Sequence, residues 1–388
     1  MSKKIRIGVI FGGRSAEHQV SLVSATSVIQ ALNPETYEIL PIGITPQGEW
    51  LAGEESLQLL KEGKTADHLA VYLPADPTVK RLIRKRDLSP IGEALDVVFP
   101  VLHGSYGEDG TIQGLLDLAD LPYVGASVLG SAVAMDKILQ KLVAQQAGLP
   151  TVPYLWFKGV EWQNSSEEES PRIANQLANL SPSEILTTIE ERLGFPVFVK
   201  PPNLGSSVGI SKATNREELT QAIELALQFD RKVLIEQAVP QAREIEVAVL
   251  GNERPRASIP GEVIPSNEFY DYDAKYVDGS SEIQIPAELP PALLERLQQT
   301  AVQSIIAVEA EGMSRVDFLV NDATQEFFLN EINTIPGFTS ISMYPKMWDA
   351  SGLRYPELLD ELIRLALDRH QKKQALRTTY EPKADWYK

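Results

Sequence analysis

A chain of 388 residues is too long for a single core at about 100–200 residues per domain, so two or three domains are expected. Its 43% hydrophobic and 23% charged residues are those of an ordinary globular protein, and a formal net charge of −17 excludes a general nucleic-acid or membrane-surface binder, either of which needs a basic face. The absence of cysteine excludes disulfides, thiol catalysis and Cys-ligated zinc, and the four histidines form no H-E-x-x-H pattern.

An anionic ligand must therefore be gripped locally, by a few Lys, Arg and N–H groups. Met1-Ser2-Lys3-Lys4-Ile5 lacks the apolar core of a signal peptide, and no run of about 18 apolar residues follows, so a cytoplasmic location is expected. Asn164-Ser165-Ser166 fits a glycosylation sequon, which without a secretion signal reads as an accident.

The β-branched run Ile5–Phe11 ends in Gly12-Gly13, and a helix is expected over Ser21–Leu32, a β–turn–α opening typical of doubly wound sheets. The turn Gly12-Gly13-Arg14-Ser15-Ala16-Glu17-His18 matches neither G-x-G-x-x-G nor the P-loop pattern, which leaves a dinucleotide oxidoreductase without its fingerprint. Glu17, near a helix N-terminus, either stabilises the dipole or holds a ligand ammonium. Residues 37–44 and 95–102 read as further strands, and the second runs into His103-Gly104-Ser105-Tyr106-Gly107-Glu108-Asp109-Gly110, a tight loop where open α/β sheets place ligands. Residues 46–92 show no clear period and read as an elaboration of this domain.

A helix is expected over Ser131–Gln146, carrying Met135-Asp136-Lys137. Residues 161–185 are acidic and Ser-rich and read as a surface insertion. Phe195–Lys200 is a strand that exits on lysine into Gly205-Ser206-Ser207-Val208-Gly209, a loop able to drape over phosphates and equally an ordinary turn. Val233–Gln237 is a strand ending on an acid, and Arg243–Leu250 is another with Glu244 and Glu246 on one face. Asn267–Tyr276 is an aromatic, polar stretch of lid composition, and a long helix is expected over Pro291–Glu311.

Ser314–Phe318 alternates polar and apolar residues, Phe327–Leu329 opens an apolar run with β propensity, and Arg315–Val320 can pair with Glu326–Asn333 as a hairpin around Asn321-Asp322. Glu331 and Asn333 share a strand face and Asp317 can meet them across the ladder; two carboxylates and an amide suit Mg²⁺, although a solvated hairpin face has the same composition. Pro336-Gly337 follows and presents backbone N–H groups. A terminal helix is expected from Tyr355 to about Ala375.

Lys137, the Lys200 exit, the Gly-Ser-Ser-Val-Gly loop, Glu236, and Asp317 with Glu331 and Asn333 together resemble the ATP-grasp ligases. More narrowly, Gly12–Glu17, His103-Gly104 with Gly107–Gly110, Phe269–Tyr276 and Asn333–Thr339 resemble the D-alanine–D-alanine ligase family over about residues 5–365. The resemblance implies an N-terminal doubly wound parallel-sheet α/β domain (1–125), then a two-lobed α+β ATP-grasp fold (126–239 and 240–388) with a lid at about 265–282. It implies ligation of two D-alanines through an acyl phosphate, for peptidoglycan precursors, by a cytoplasmic homodimer using ATP, two Mg²⁺ or Mn²⁺ and possible help from a monovalent cation.

By the same resemblance, Lys137, Lys200, Ser207 and Lys275 contact the ATP phosphates, and Glu236, Gln237, Val239 and Glu244 contact its nucleoside part. Asp317, Glu331 and Asn333 hold the metal ions. Arg315 and the Gly337 N–H stabilise the oxyanion, Glu17 binds the first ammonium, and Ser342 with the Met343 N–H binds the second carboxylate. His103 lies near the substrates, and Glu17, Ser206 and Tyr276 tie the first domain to the loop and lid. Tyr276 favours the dipeptide over the D-alanine–D-lactate ester, while Gln237 and Ser314 depart from the family's common lysine and glycine. The alternatives are a depsipeptide-forming or other ATP-grasp carboxylate–amine ligase, and an idle nucleotide-binding protein.

Overall fold

Continuous burial of side chains on both faces of β1 (Ile5–Gly12) places it inside a sheet covered on both sides. It is followed by α1 (His18–Ala31), β2 (Tyr37–Ile44), β3 (Trp50–Ala52), α2 (Ser56–Lys61), β4 (Ala70–Tyr72), β5 (Ile83–Arg84), β6 (Val97–Val101) and α3 (Thr111–Leu118). The sheet order is β5-β4-β3-β2-β1-β6, with β1 parallel to both neighbours and β3, β4 and β5 antiparallel. Residues 46–92 thus extend the parallel centre with strands of two or three residues, too short to carry a period of two. The computed structural model describes residues 3–163, 177, 180–264 and 282–379. The lid stretch at 265–281, with Lys275 and Tyr276, lies outside them.

The helix expected at 131–146 is two helices, α4 (Val128–Met135) and α5 (Lys137–Gln146). They break at Asp136, which leaves helical geometry (φ −82°, ψ 99°) and caps α5 by accepting from the Ile138 and Leu139 N–H groups at 3.1 and 3.2 Å. Next come β7 (Tyr154–Lys158), α6 (Gly159–Gln163), α7 (Pro182–Leu193), β8 (Val197–Lys200), β9 (Ser211–Ala213), α8 (Arg216–Ala226) and β10 (Lys232–Gln237). Their four strands form an antiparallel sheet ordered β7-β10-β8-β9. The surface insertion expected over 161–185 needs correcting at both ends. α6 covers its start, and a Ser181/Glu184 capping box with Pro182 in the first turn opens α7 before its end. Leu177 and Ile185 are wholly buried.

The third part contains β11 (Ala242–Gly251), β12 (Arg256–Ala257), β13 (Gly261–Ile264), β14 (Glu282–Gln284), α9 (Pro291–Ala307), β15 (Gly312–Asn321), β16 (Phe327–Asn333), α10 (Met343–Ala350) and α11 (Tyr355–Gln374). Its sheet runs β14-β13-β11-β15-β16, with β12 against β11. One apolar core fills the middle sheet alone, from Leu155 and Ile189 to Ile235. Another fills one face of the third sheet against α9, α4 and α5. The core that unites the molecule joins Ile7, Phe11 and Leu22 of the first part to Phe338, Trp348 and Leu362 of the last. α11 is pinned there by Tyr37, whose hydroxyl donates to Asp360 at 2.7 Å, and by Arg369, which donates to the Tyr123 and Gly125 carbonyls. Among the described residues no helix is long and apolar enough to cross a membrane.

Candidate active site

β15 and β16 form the expected hairpin, and Asp317 stands directly opposite Glu331. On its other side Asp317 pairs with Glu246 of β11, so three carboxylates line up across three strands. Like charges in register repel, and two cations answer them. Arg315, two residues before Asp317 on the same face, donates to both its oxygens at 2.7 and 2.6 Å and lies 3.0 Å from Glu246. Lys137 stands 3.0 Å from Glu331. Burial works against the Arg315 charge, but the surrounding acids outweigh it and raise its pKa further. The Asn333 amide donates to Asp317 at 3.0 Å.

The hairpin is irregular at one place. Asp317 pairs with Glu331 but Phe318 with Leu329, so Asn330 is an extra residue, a β-bulge. Leu329 and Ile332 both face the core, and Asn330 and Glu331 both leave it. Because of the bulge, Asn330, Glu331 and Asn333 all lie on the less buried side, and the Asn330 side chain accepts from Lys200 at 3.3 Å.

Across from this hairpin α5 and β8 deliver three lysines. The Asp136 cap starts α5 so that Lys137 is its first residue, where its ammonium also donates to the Leu204 carbonyl at 3.0 Å. Four residues on, Lys141 is fully buried and stands 2.6 Å from Glu236, whose other oxygen lies 2.5 Å from Lys200. Burial opposes charge on Glu236, yet the two lysines hold its carboxyl down to about 2; burial lowers Lys141. For Lys137 burial also lowers, but Glu331, Glu236 and Glu108 prevail and raise it.

Glu17 sits before α1 without capping it; its carboxyl instead accepts from the Ser206 hydroxyl. The contact needs two residues without side chains. A Cβ on Gly104 would come within 2.6 Å of Glu17 Oε2, and one on Gly205 within 2.9 Å. Ser206 and Ser207 take left-handed φ values of 51° and 59°, uncommon outside glycine, which turn the loop tip towards Glu17.

The 103–110 loop is fastened to the turn after β16. Glu108 accepts from the Gly104 N–H at 2.8 Å and the Ile335 N–H at 3.2 Å. His103 Nδ1 donates to the Ile335 carbonyl at 3.0 Å, which leaves Nε2 to accept from the Ser24 hydroxyl at 3.0 Å. Burial lowers its pKa and favours this neutral form. Expected near the substrates, His103 therefore has both nitrogens engaged within the protein, and Ser24 in turn accepts from the Phe338 N–H at 3.3 Å. Gly337 backs onto the Ser342 hydroxyl, which accepts from the Thr339 N–H at 2.9 Å and precedes α10, where Met343 is buried.

Gln237 is exposed at the end of β10 with its amide on the Leu193 carbonyl at 2.9 Å, Val239 is half-buried just beyond, and Glu244 shares the Glu246 face of β11. Ser207 lies at the loop tip. Lys275 and Tyr276 fall outside the described residues. Sequence reasoning missed Lys141, Glu108 as a tie, and the Asn330 bulge. Only the last left a signal, since Leu329 and Ile332 are three apart where a flat strand needs two.

Two carboxylates and an amide offer oxygen donors only, which fits a hard divalent cation and not a soft one. No group of three or more His, Cys, Asp or Glu arranged to hold a metal occurs among the described residues, and the Asn333 amide stands beside Asp317 as a further oxygen-bearing group. The arrangement brings together lysines able to meet phosphates, acids able to meet a divalent ion, a carboxylate able to meet an ammonium, and N–H groups in a turn.

Two family models match the chain: "D-ala D-ala ligase N-terminus" over residues 6–126 and "D-ala D-ala ligase C-terminus" over residues 143–364. The D-alanine--D-alanine ligase of Natranaerobius thermophilus is 48% identical over 96% of this chain and 97% of its own length. That of Heliobacterium modesticaldum is 46% identical over 98% and 99%. Among solved structures, the Coxiella burnetii D-alanine-D-alanine ligase superposes with a TM-score of 0.78 at 36% identity, covering 96% of this chain and 97% of that one. The VanG D-Ala:D-Ser ligase of Enterococcus faecalis gives 0.79 at 36% identity, covering 94% and 100%.

Proposed function

The chain belongs to the D-alanine–D-alanine ligase family, and from that premise we propose that it joins two D-alanines into D-alanyl-D-alanine for peptidoglycan precursor synthesis. It is an ATP-dependent ligase of the ATP-grasp fold that forms a C–N bond and releases ADP and phosphate. The observation that carries the reading is the 3.0 Å pair between Lys137 and Glu331, which brings the lysines and the acidic hairpin to one cleft.

In the first step a carboxylate oxygen of one D-alanine attacks the γ-phosphorus of ATP; the new O–P bond forms as the bond to ADP breaks, and its electron pair leaves on ADP. The neutral amine of the second D-alanine then attacks the acyl carbon. The adduct expels inorganic phosphate, and the amine nitrogen loses a proton as the amide forms. The protein's part is positioning and charge stabilisation. Lys137, Lys200 and Lys275 hold the phosphates under Ser207 and its loop, and Glu236, Gln237, Val239 and Glu244 hold the nucleoside.

Glu17, steadied by Ser206 and by Tyr276 of the lid, takes the first ammonium, and closure of 265–282 keeps water from the acyl phosphate. Arg315, fixed by its two acids, and the Gly337 N–H face the oxyanion, so neither must reorganise as charge develops. Ser342 and the Met343 N–H take the second carboxylate, and His103 holds the two loops around the substrates. Asp317, Glu331 and Asn333 would hold Mg²⁺ or Mn²⁺, two ions in all, which supply Lewis-acid neutralisation of phosphate oxygens. The reading includes domains at 1–125, 126–239 and 240–388, a cytoplasmic homodimer, and a possible monovalent cation.

ADP release measured with D-alanine, L-alanine, D-serine and D-lactate, with products identified by mass, tests the proposal. D-alanine alone is expected to give turnover and a dipeptide. Turnover with D-lactate or D-serine as acceptor and none with D-alanine overturns the dipeptide reading.

A further inference from the structure

Lys141 takes no part in the reaction just described, because its side chain is 0% exposed and no substrate can touch it. It follows Lys137 by four residues on α5, so both side chains leave the same helix face. Lys137 reaches the cleft; Lys141 ends beneath it, 2.6 Å from Glu236 Oε1. Lys200 holds Glu236 Oε2 at 2.5 Å and keeps 11% of its side chain open. The bulge closes the cluster, with the Asn330 carbonyl 3.5 Å from the Lys141 ammonium and its side-chain oxygen 3.3 Å from that of Lys200. Sealing a lysine from water is unfavourable unless its charge is used, and here one carboxylate is shared by two ammonium groups. The cluster therefore carries a net positive charge, and the only member on its open side that bears it is Lys200.

We propose that Lys141 is a positioning residue for ATP: by holding one oxygen of Glu236 it keeps that carboxylate from neutralising Lys200, whose ammonium stays available to a phosphate. The proposal rests on the assignment of Lys200 to ATP. Without Lys141, Glu236 has a single counter-ion and turns it away from the nucleotide.

Lys141→Met keeps the length of the side chain and removes its charge. Its KM for ATP is expected to rise at least tenfold, with kcat at saturating ATP and the KM for D-alanine within threefold of wild type. The Kd of a nonhydrolysable ATP analogue, measured by calorimetry, should rise in parallel. In a Glu236→Gln background the carboxylate is gone, so adding Lys141→Met should change that Kd less than twofold. If Lys141→Met does not fold, Lys141→Gln, which keeps a hydrogen-bond donor for Glu236 without the charge, gives the same readout: at least a tenfold rise in the KM for ATP supports the proposal and less than threefold overturns it.

A rise of less than threefold in Lys141→Met, an equal loss in D-alanine affinity, or a tenfold effect that persists beside Glu236→Gln overturns the proposal. A wild-type protein that binds the analogue yet releases no ADP with D-alanine overturns the ligase reading alone, and the analogue affinities still decide the role of Lys141.

Discussion

Burial raises the Glu108 carboxyl to about 8, with Glu17 adding to the rise and the Gly104 and Ile335 N–H groups opposing it. An unfolded glutamate titrates near about 4.3, so between that value and 8 the folded chain holds a proton that the unfolded chain has released. The associated stability is complete below pH 4.3 and is lost as pH rises through 8. Urea midpoints at pH 5 and pH 8 should therefore fall with pH in the wild type and fall less in Glu108→Gln; equal slopes would sink the assignment. A second test concerns Glu331. Glu331→Gln keeps an acceptor for Lys137 and should lower turnover by about 100-fold or more, with a higher Mg²⁺ requirement and a melting temperature within a few degrees of wild type. Wild-type turnover in that variant would remove the metal assignment. Glu17, Lys137 and Lys200 were legible in the sequence because motifs surround them. Lys141 was not, since a lysine at helical spacing reads as solvated until the strand bearing Glu236 is folded against it.

The break at Asp136 and the bulge at Asn330 do the positioning at the scale of elements. An uninterrupted helix would carry Lys137 as an interior residue; the cap makes it the first, beside the loop that holds Leu204. Composition hid the break because Met135-Asp136-Lys137 contains no Gly or Pro, and only the capping preference of aspartate marks it. The hairpin was legible from the alternation at Ser314–Phe318, the Asn321-Asp322 turn and the apolar run after it. Deleting Asn330 would restore a flat alternation of Leu329, Glu331, Ile332 and Asn333, keep the core set, and draw the Pro336-Gly337 turn back by about 3.4 Å. The shortened chain is expected to fold, by circular dichroism, and to lose about 100-fold or more in kcat, since misplacement by an ångström costs that much. Retained activity would show that the bulge does not place the turn. The short strands of residues 46–92 stayed invisible because their partners, not their own pattern, make them strands.

Across the whole molecule the cores divide unevenly. The middle sheet has its own, and the first and last parts share one. Leu362→Ala, a buried truncation worth about 2–5 kcal/mol, should speed hydrogen exchange in β1, β6 and β11 together and leave β8 and β10 at wild-type protection. Uniform loss of protection would mean one cooperative unit. A chain of more than one core and a sheet-first start were legible from length and pattern; the sharing was not, because Ile7 and Leu362 belong to one core from opposite ends of the chain. That closure by α11 bears on how the protein is made. During synthesis the first sheet leaves the ribosome with one apolar face covered only in part, by α1 and α2, and α11, which completes the cover, is translated after all three sheets. The core shared by the first and last parts is therefore complete only once nearly the whole chain has been made, so a chain stalled before α11 is expected to leave part of that apolar face open to water.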